Sequence, residues 1–197
     1  MLCVLCVYAT TNAQTATQGA KQATQDAAWN LDKVHSSVGF SITHMVVSET
    51  VGSFDDFTMN VKADKADFTD ATVDFTIQAK SVNTKEASRD NHLRGEDFFN
   101  VEKFPTITFK GKEFKKVKGN KYKVTGDFTM MGITKIITLD AQFNGMIKDS
   151  KGKMHAGLKV FGEIDRYAFG LKYNSPIDGG FALGQMVNIN CNVELIK

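Results

Sequence analysis

Apolar and polar residues alternate with period two along most of this chain, the signature of strands buried on one face. The cleanest run is 70–80, where Val73, Phe75, Ile77 and Ala79 face one way and Thr72, Asp74, Thr76 and Gln78 the other. Earlier, Val34, Val38, Phe40 and Ile42 share a face, with His44 on the same parity at the strand's end. In 51–62, Phe57, Met59 and Val61 are in phase, while Phe54 is out of phase after Gly52, which predicts a bulge or bend. Inward parity then falls on Ile107 and Phe109, on Tyr122, Val124, Phe128 and Met130, and on Ile137, Leu139, Ala141 and Phe143. It continues through Met154, Ala156, Leu158, Val160 and Ile164, and ends with Val187, Ile189, Cys191, Val193 and Leu195. Short turns join these runs at 118–120, at MMGIT and at 149–152. About eight antiparallel strands joined this way close into a barrel with room for side chains or one small ligand. A two-sheet sandwich is the alternative.

The alternation stops between Thr84 and Phe109. Charged residues and a His crowd there, Phe98 and Phe99 follow, and Pro105 restarts an extended segment. Thr84 is placed to cap a short helix running to Arg94, with Gly95 as its stop. An interruption of this kind in a barrel marks its opening or the cover over it. A second long connection, 166–184, carries YAFG and Gly179-Gly180.

Whether the barrel is solid or hollow is the question on which function turns. Fifteen Phe stand against one Trp and four Tyr, and six of them (Phe40, Phe57, Phe75, Phe109, Phe128, Phe143) lie on inward parity. Packed together they would fill the interior and leave a structural or stress protein without ligand. Spread around a tunnel they would admit an apolar chain, each buried methylene contributing about 0.8 kcal/mol. Parity leaves both open. At the mouth, Asp90, His92 and Arg94 alternate along the helix and Arg166 opens the other long loop. These groups could meet a ligand's head, or could simply fasten the rim.

Other chemistries find little support. No HExxH, zinc-ligand spacing, nucleophile elbow or P-loop is present, so no metal or catalytic site is expected. Ser88, Asp90 and His92 are neighbours on one short helix and cannot converge as a triad. A net charge of +2 gives no reason to expect a nucleic-acid partner. Seven lysines between Lys110 and Lys123 would suit an anionic membrane surface or an ordinary solvated hairpin. Residues 1–13, MLCVLCVYATTNA, read as a signal peptide ending at a small-residue site, without the usual basic start. Cleavage there would remove Cys3 and Cys6 and leave Cys191 unpaired. Residues 14–28 read as a polar, flexible leader, and 29–197 as the barrel domain.

Several stretches together resemble the YceI-like family of polyisoprenoid-binding proteins of the bacterial periplasm. They are WNLDKVHSSVGFSITH at 29–44, VGSFDDF at 51–57, SVNTKEASRDNHLRGEDFFNVEKFPTITF at 81–109, YKVTGDFTMMGITK at 122–135 and IDRYAFGL at 164–171. The resemblance implies an all-β fold, an eight-stranded antiparallel lipocalin-like barrel with one short helical insert near the rim, exported to the periplasm or secreted. It implies a long isoprenoid lipid, a polyisoprenoid or isoprenoid quinone, in the lumen and no other cofactor. On that reading Phe40, Ile42, Phe57, Phe75, Ile77, Phe109, Phe128, Met130, Phe143 and Leu158 line the lumen, and His44, Asp90, His92, Arg94 and Arg166 meet the head group. Fatty acid or fatty amide binding is the alternative, as is an enzyme acting on such a lipid with His44 or His92 as general base. Transient membrane contact and homodimerisation are compatible with this reading, although no residue singles out a dimer face.

Overall fold

The protein is described by a computed structural model over residues 28–197; the signal-peptide reading of 1–13 and nearly all of the polar leader lie outside the described residues. The chain runs β1 (Ala28–Leu31), β2 (Ser37–His44), β3 (Ser48–Phe54), β4 (Phe57–Lys62), β5 (Thr72–Gln78), β6 (Val82–Asn83) and helix α1 (Ala87–Arg94). Four long strands follow: β7 (Thr106–Lys118), β8 (Lys121–Met130), β9 (Ile133–Lys148) and β10 (Met154–Asp165). A loop carrying the short β11 (Pro176–Ile177) and β12 (Gly180–Phe181) leads to β13 (Leu183–Ile196).

Eight strands close on themselves in the order β1-β4-β5-β7-β8-β9-β10-β13, with Leu31 opposite Leu195 completing the ring. Every pairing is antiparallel, and the closure of β1 on β13 makes the sheet a barrel and not a sandwich. β13 pairs with β1 at its C-terminal end and with β2 over the rest of its length, and β3 and β6 continue the wall beyond β2.

Acidic side chains set two strand boundaries that the alternation pattern misplaced. Asp32 Oδ1 accepts the backbone N–H groups of Val34 and His35 at 3.0 and 3.4 Å, taking the chain out of the ladder. Val34 therefore lies outside the strand and is 86% exposed, while Trp29 and Leu31 form the separate strand β1 that the alternation was too short to reveal. At the second break Asp55 accepts from the Ser53 hydroxyl and the Asn83 amide, both at 2.7 Å. The bend predicted near Gly52 falls here, and it separates β3 from β4 completely.

Helix α1 begins two residues later than expected. Its cap is Glu86, whose carboxylate accepts the N–H groups of Ser88 and Arg89. Thr84 is instead the partner of Asp90, described below. Gly95 does end the helix, in extended conformation with φ −71°.

The core divides along the barrel. One cluster, with Trp29, Phe68, Phe114, Tyr122 and Leu195, fills the end where β1 closes on β13. The other, with Phe54, Phe98, Met130, Ile164 and Phe169, surrounds the end carrying α1 and the 166–184 loop. Aromatic pairs stiffen the first end: Trp29 on Phe68 at 5.1 Å and Phe114 stacked on Tyr122 at 4.8 Å. Each such ring contributes about 2–3 kcal/mol by burial.

Candidate functional site

Between the two clusters the barrel is hollow. A cavity of about 430 Å³ runs through it, walled by aliphatic and aromatic side chains. Val187, Ile189, Cys191, Val193 and Leu195 of β13 all border it. Five alternate residues cover about 26 Å of strand, or roughly 20 Å along the axis of a tilted barrel. The cavity is thus elongated, and the solid-core reading does not hold. Several inward side chains, among them Phe40, Phe75 and Phe128, are only partly buried, because they face this space and not one another.

Of the expected wall residues, Phe40, Ile42, Phe75, Ile77, Phe109, Phe128, Met130 and Leu158 border the cavity. Phe57 and Phe143 do not. Phe57 follows the break at Asp55-Asp56, where its ring packs edge-on against Phe75 at 6.1 Å under the Lys33 ammonium. Phe143 packs on Phe68 at 5.6 Å, and it is Phe68 that reaches the cavity. Phe68 comes from the 63–71 connection, with φ +57°, so strand parity could not find it. Close approach shapes the wall too: a Cβ at Gly52 would collide with the Phe40 ring. Cys191 also borders the cavity, and burial pushes its thiol up to about 11, so it stays a neutral wall element.

The polar groups of the cavity gather at the end carrying α1. His44, His92 and Arg166 border it there, and so does Arg89, which was not expected. Asp90 and Arg94 do not. Asp90 is buried and accepts from the Thr84 backbone N–H at 2.8 Å and its hydroxyl at 2.6 Å. Arg94 donates to the carbonyls of Lys80 and Val82 at 2.7 and 2.9 Å, tying α1 to the wall. For these two residues the rim-fastening alternative describes the geometry.

His92 joins the two rim segments. Its ring stands edge-on to Phe98 and to Tyr173, both at 5.0 Å, and Phe98 lies 4.9 Å from Tyr173. Its Nε2 is 3.0 Å from an Asp97 carboxylate oxygen. Three rings therefore clasp the helical insert to the 166–184 loop beside the cavity mouth.

Arg166 is 2% exposed. It donates from Nε to the Gly184 carbonyl at 2.8 Å and from Nη1 to those of Leu171 and Tyr173 at 2.6 and 2.9 Å. The Gly184 carbonyl lies where the β13 register slips against β2, between Leu183 and Val187, and so leaves the ladder. Nη2 is buried with no acceptor. Burial lowers the pKa of the guanidinium, but it remains charged.

The far end is polar in a different way. The lysine-rich hairpin of β7 and β8 lies there, about 40 Å of strand away from the mouth. Lys112 and Lys123 pair with Asp127 and Asp140, both at 2.7 Å, so two of these lysines serve the sheet's own surface. Asp32, His35 and Glu194 also converge there, within 4.8 Å of one another, from separate elements. His35 is hydrogen-bonded to Asp32 at 2.8 Å, and His155 bridges Glu194 at 2.7 Å and Asp149 at 3.4 Å.

Residues 29–195 match the family model described as the YceI-like domain. A UPF0312 protein of Staphylococcus aureus (strain bovine RF122 / ET3-1) is 40% identical over 168 residues, covering 84% of this chain and 95% of the relative. The solved YCEI protein of Campylobacter jejuni superposes with a TM-score of 0.69 at 36% identity, covering 85% of this chain and 96% of that one. A polyisoprenoid binding domain from Saccharophagus degradans, implicated in plant cell wall breakdown, has the same fold, with a TM-score of 0.58 at 14% identity and 86% and 98% coverage. Barrel, insert and sequence agree, and the chain belongs to the YceI-like family.

Proposed function

We propose that this protein binds one long apolar lipid, a polyisoprenoid or isoprenoid quinone, inside the barrel, and carries or stores it in the periplasm or outside the cell. The observation behind this is the elongated 430 Å³ cavity with apolar walls and polar groups at one end only. Such a space takes up hydrocarbon at about 0.8 kcal/mol per methylene removed from water, with the head left at the mouth. The Saccharophagus degradans domain of the same fold is named for polyisoprenoid binding, which favours an isoprenoid over the fatty acid or fatty amide alternative. Localisation rests on the signal-peptide reading of residues 1–13.

An enzyme acting on the lipid is the second reading, with His44 or His92 as base. It is weakened at His92, whose ring is held between Phe98 and Tyr173 and whose Nε2 meets Asp97. Native mass spectrometry of the protein purified from its own host, followed by lipid extraction, tests the proposal. A discrete co-purifying isoprenoid is the expected result. Lipid-free protein that also refuses long-chain isoprenoids would overturn it.

A further inference from the structure

The cavity's own charge says what kind of head it suits; this step rests on the lipid-binding reading above. Among the described residues, the basic side chains on its wall are Arg89, Arg166, His44 and His92, and no Asp or Glu borders it. The nearby carboxylates are engaged elsewhere: Asp90 by Thr84, and Asp97 by His92 at the exposed rim. Arg166 stands out within this set. Its guanidinium is nearly fully enclosed and lies over the Tyr167 ring with Cζ 4.6 Å from the centroid, its three hydrogen-bond acceptors are neutral backbone carbonyls, and its Nη2 has none. Asp165, next in the chain, directs its own carboxylate to the Tyr167 N–H and the Gln185 amide, both at 2.9 Å. A buried cation whose hydrogen bonds all go to neutral groups, with only the field of the adjacent Asp165 carboxylate to offset it, is costly.

We infer that the bound lipid carries an anionic head, a carboxylate or a phosphate, seated at the Arg166 end of the cavity. Such a head brings the negative charge that the Arg166 end of the wall lacks, and Arg89, which donates to the Thr84 hydroxyl and carbonyl at 2.7 and 2.9 Å, adds a second cation at the mouth. A hydroxyl, amide or quinone head supplies an acceptor and leaves the charge uncompensated. Two head chemistries share this logic, a fatty carboxylate and an isoprenyl phosphate.

The test is a set of matched pairs, titrated calorimetrically into the full chain stripped of co-purified lipid: oleate against oleyl alcohol, and farnesyl phosphate against farnesol. The anionic member of a pair is expected to bind about tenfold to a hundredfold more tightly, the range of a charged hydrogen bond. The pair with the larger ratio identifies the source of the head. In Arg166→Gln the ratio falls toward one. Because Arg166 also holds the 166–184 loop, Arg89→Gln is measured beside it and should lower the ratio by a smaller factor. Equal affinity for acid and alcohol in the unaltered protein overturns the anionic head while lipid binding stands. If none of the four ligands binds, lipid binding itself fails.

Discussion

Phe75 sits midway down the wall, opposite Met59 on one side and Phe109 on the other, and its ring faces the open cavity. A carboxylate there can hydrate while the cavity holds water, but a hydrocarbon tail must strip that water away. Phe75→Asp is therefore expected to keep its fold, checked by circular dichroism, and to bind lipid more weakly by about 3 kcal/mol, roughly a hundredfold. Phe75→Leu, which keeps the wall apolar, should bind nearly as the parent does. A folded Phe75→Asp that still takes up lipid would remove this residue from the wall. Parity made Phe75 legible because β5 is unbroken on both sides of it. Phe57 has the same parity and does point inward, on the face it shares with Met59 and Val61, but its ring packs against Phe75 and stops short of the cavity, which parity cannot show. Phe68 was invisible for the opposite reason: it reaches the cavity from a connection, with no period to announce it. At the rim, alternation placed Asp90, His92 and Arg94 together, yet on a helix residues two apart point in different directions, so His92 reached the cavity and the other two reached backbone.

Closure of the barrel depends on short elements, and these carry a pH signature. Asp32 and His35 lie between β1 and β2, Asp149 in the β9–β10 turn, His155 on β10 and Glu194 on β13, so their contacts bind together the end where the ring closes. Hydrogen bonding to Asp32 raises the His35 pKa, and bonding to Glu194 raises that of His155. Asp32 is lowered chiefly by His35, and Asp149 chiefly by the Lys153 backbone N–H. A raised His stabilises the fold fully below its unfolded value, about 6.5, and loses that contribution as pH rises through its folded value. A lowered Asp contributes above about 3.9 and loses it as pH falls through its folded value. The latch is then strongest between about pH 4 and 6.5. Thermal midpoints should decline from about pH 6.5 upward, and the decline should flatten in the His35→Gln/His155→Gln double variant. An unchanged slope in that variant would show that other groups set it. Nothing in the sequence spacing revealed this cluster, since its members lie up to 162 positions apart (Asp32 to Glu194) and meet only because β13 returns to β1. The eight long runs were legible for the converse reason, because each strand's period is local, whereas the breaks were set by side chains accepting backbone N–H groups.

A carrier of this shape has two unlike ends, and they should behave differently at a membrane. The lysine hairpin lies at the closed end, so a bilayer meeting it would face the floor and not the mouth. Beside the mouth, the β2–β3 turn exposes Met45, Val46 and Val47, the last 87% exposed, and the neighbouring β12 exposes Phe181 at 60%. The two loops are joined by the Met45 N–H donating to the Ala182 carbonyl at 2.7 Å, so they form one crest. Val46 holds φ +64°, a conformation costly for a β-branched side chain, and it recovers nothing by burial. Large apolar side chains kept in water on the rim of an apolar cavity fit a surface that enters lipid while cargo passes. On the proposed carrier role, Val47→Glu combined with Phe181→Glu should leave affinity for dispersed lipid unchanged, since neither side chain borders the cavity. Transfer of bound lipid into vesicles should slow by about tenfold or more, because two side chains worth about 1.5–3 kcal/mol each when buried no longer enter the bilayer. Stopped-flow transfer of a fluorescent isoprenoid to quencher-loaded vesicles reads this directly. A transfer rate proportional to vesicle concentration in the parent, and insensitive to it in the variant, would place exchange at the crest. If parent and variant release lipid equally fast, the cargo crosses water unaided and the crest has no part in it.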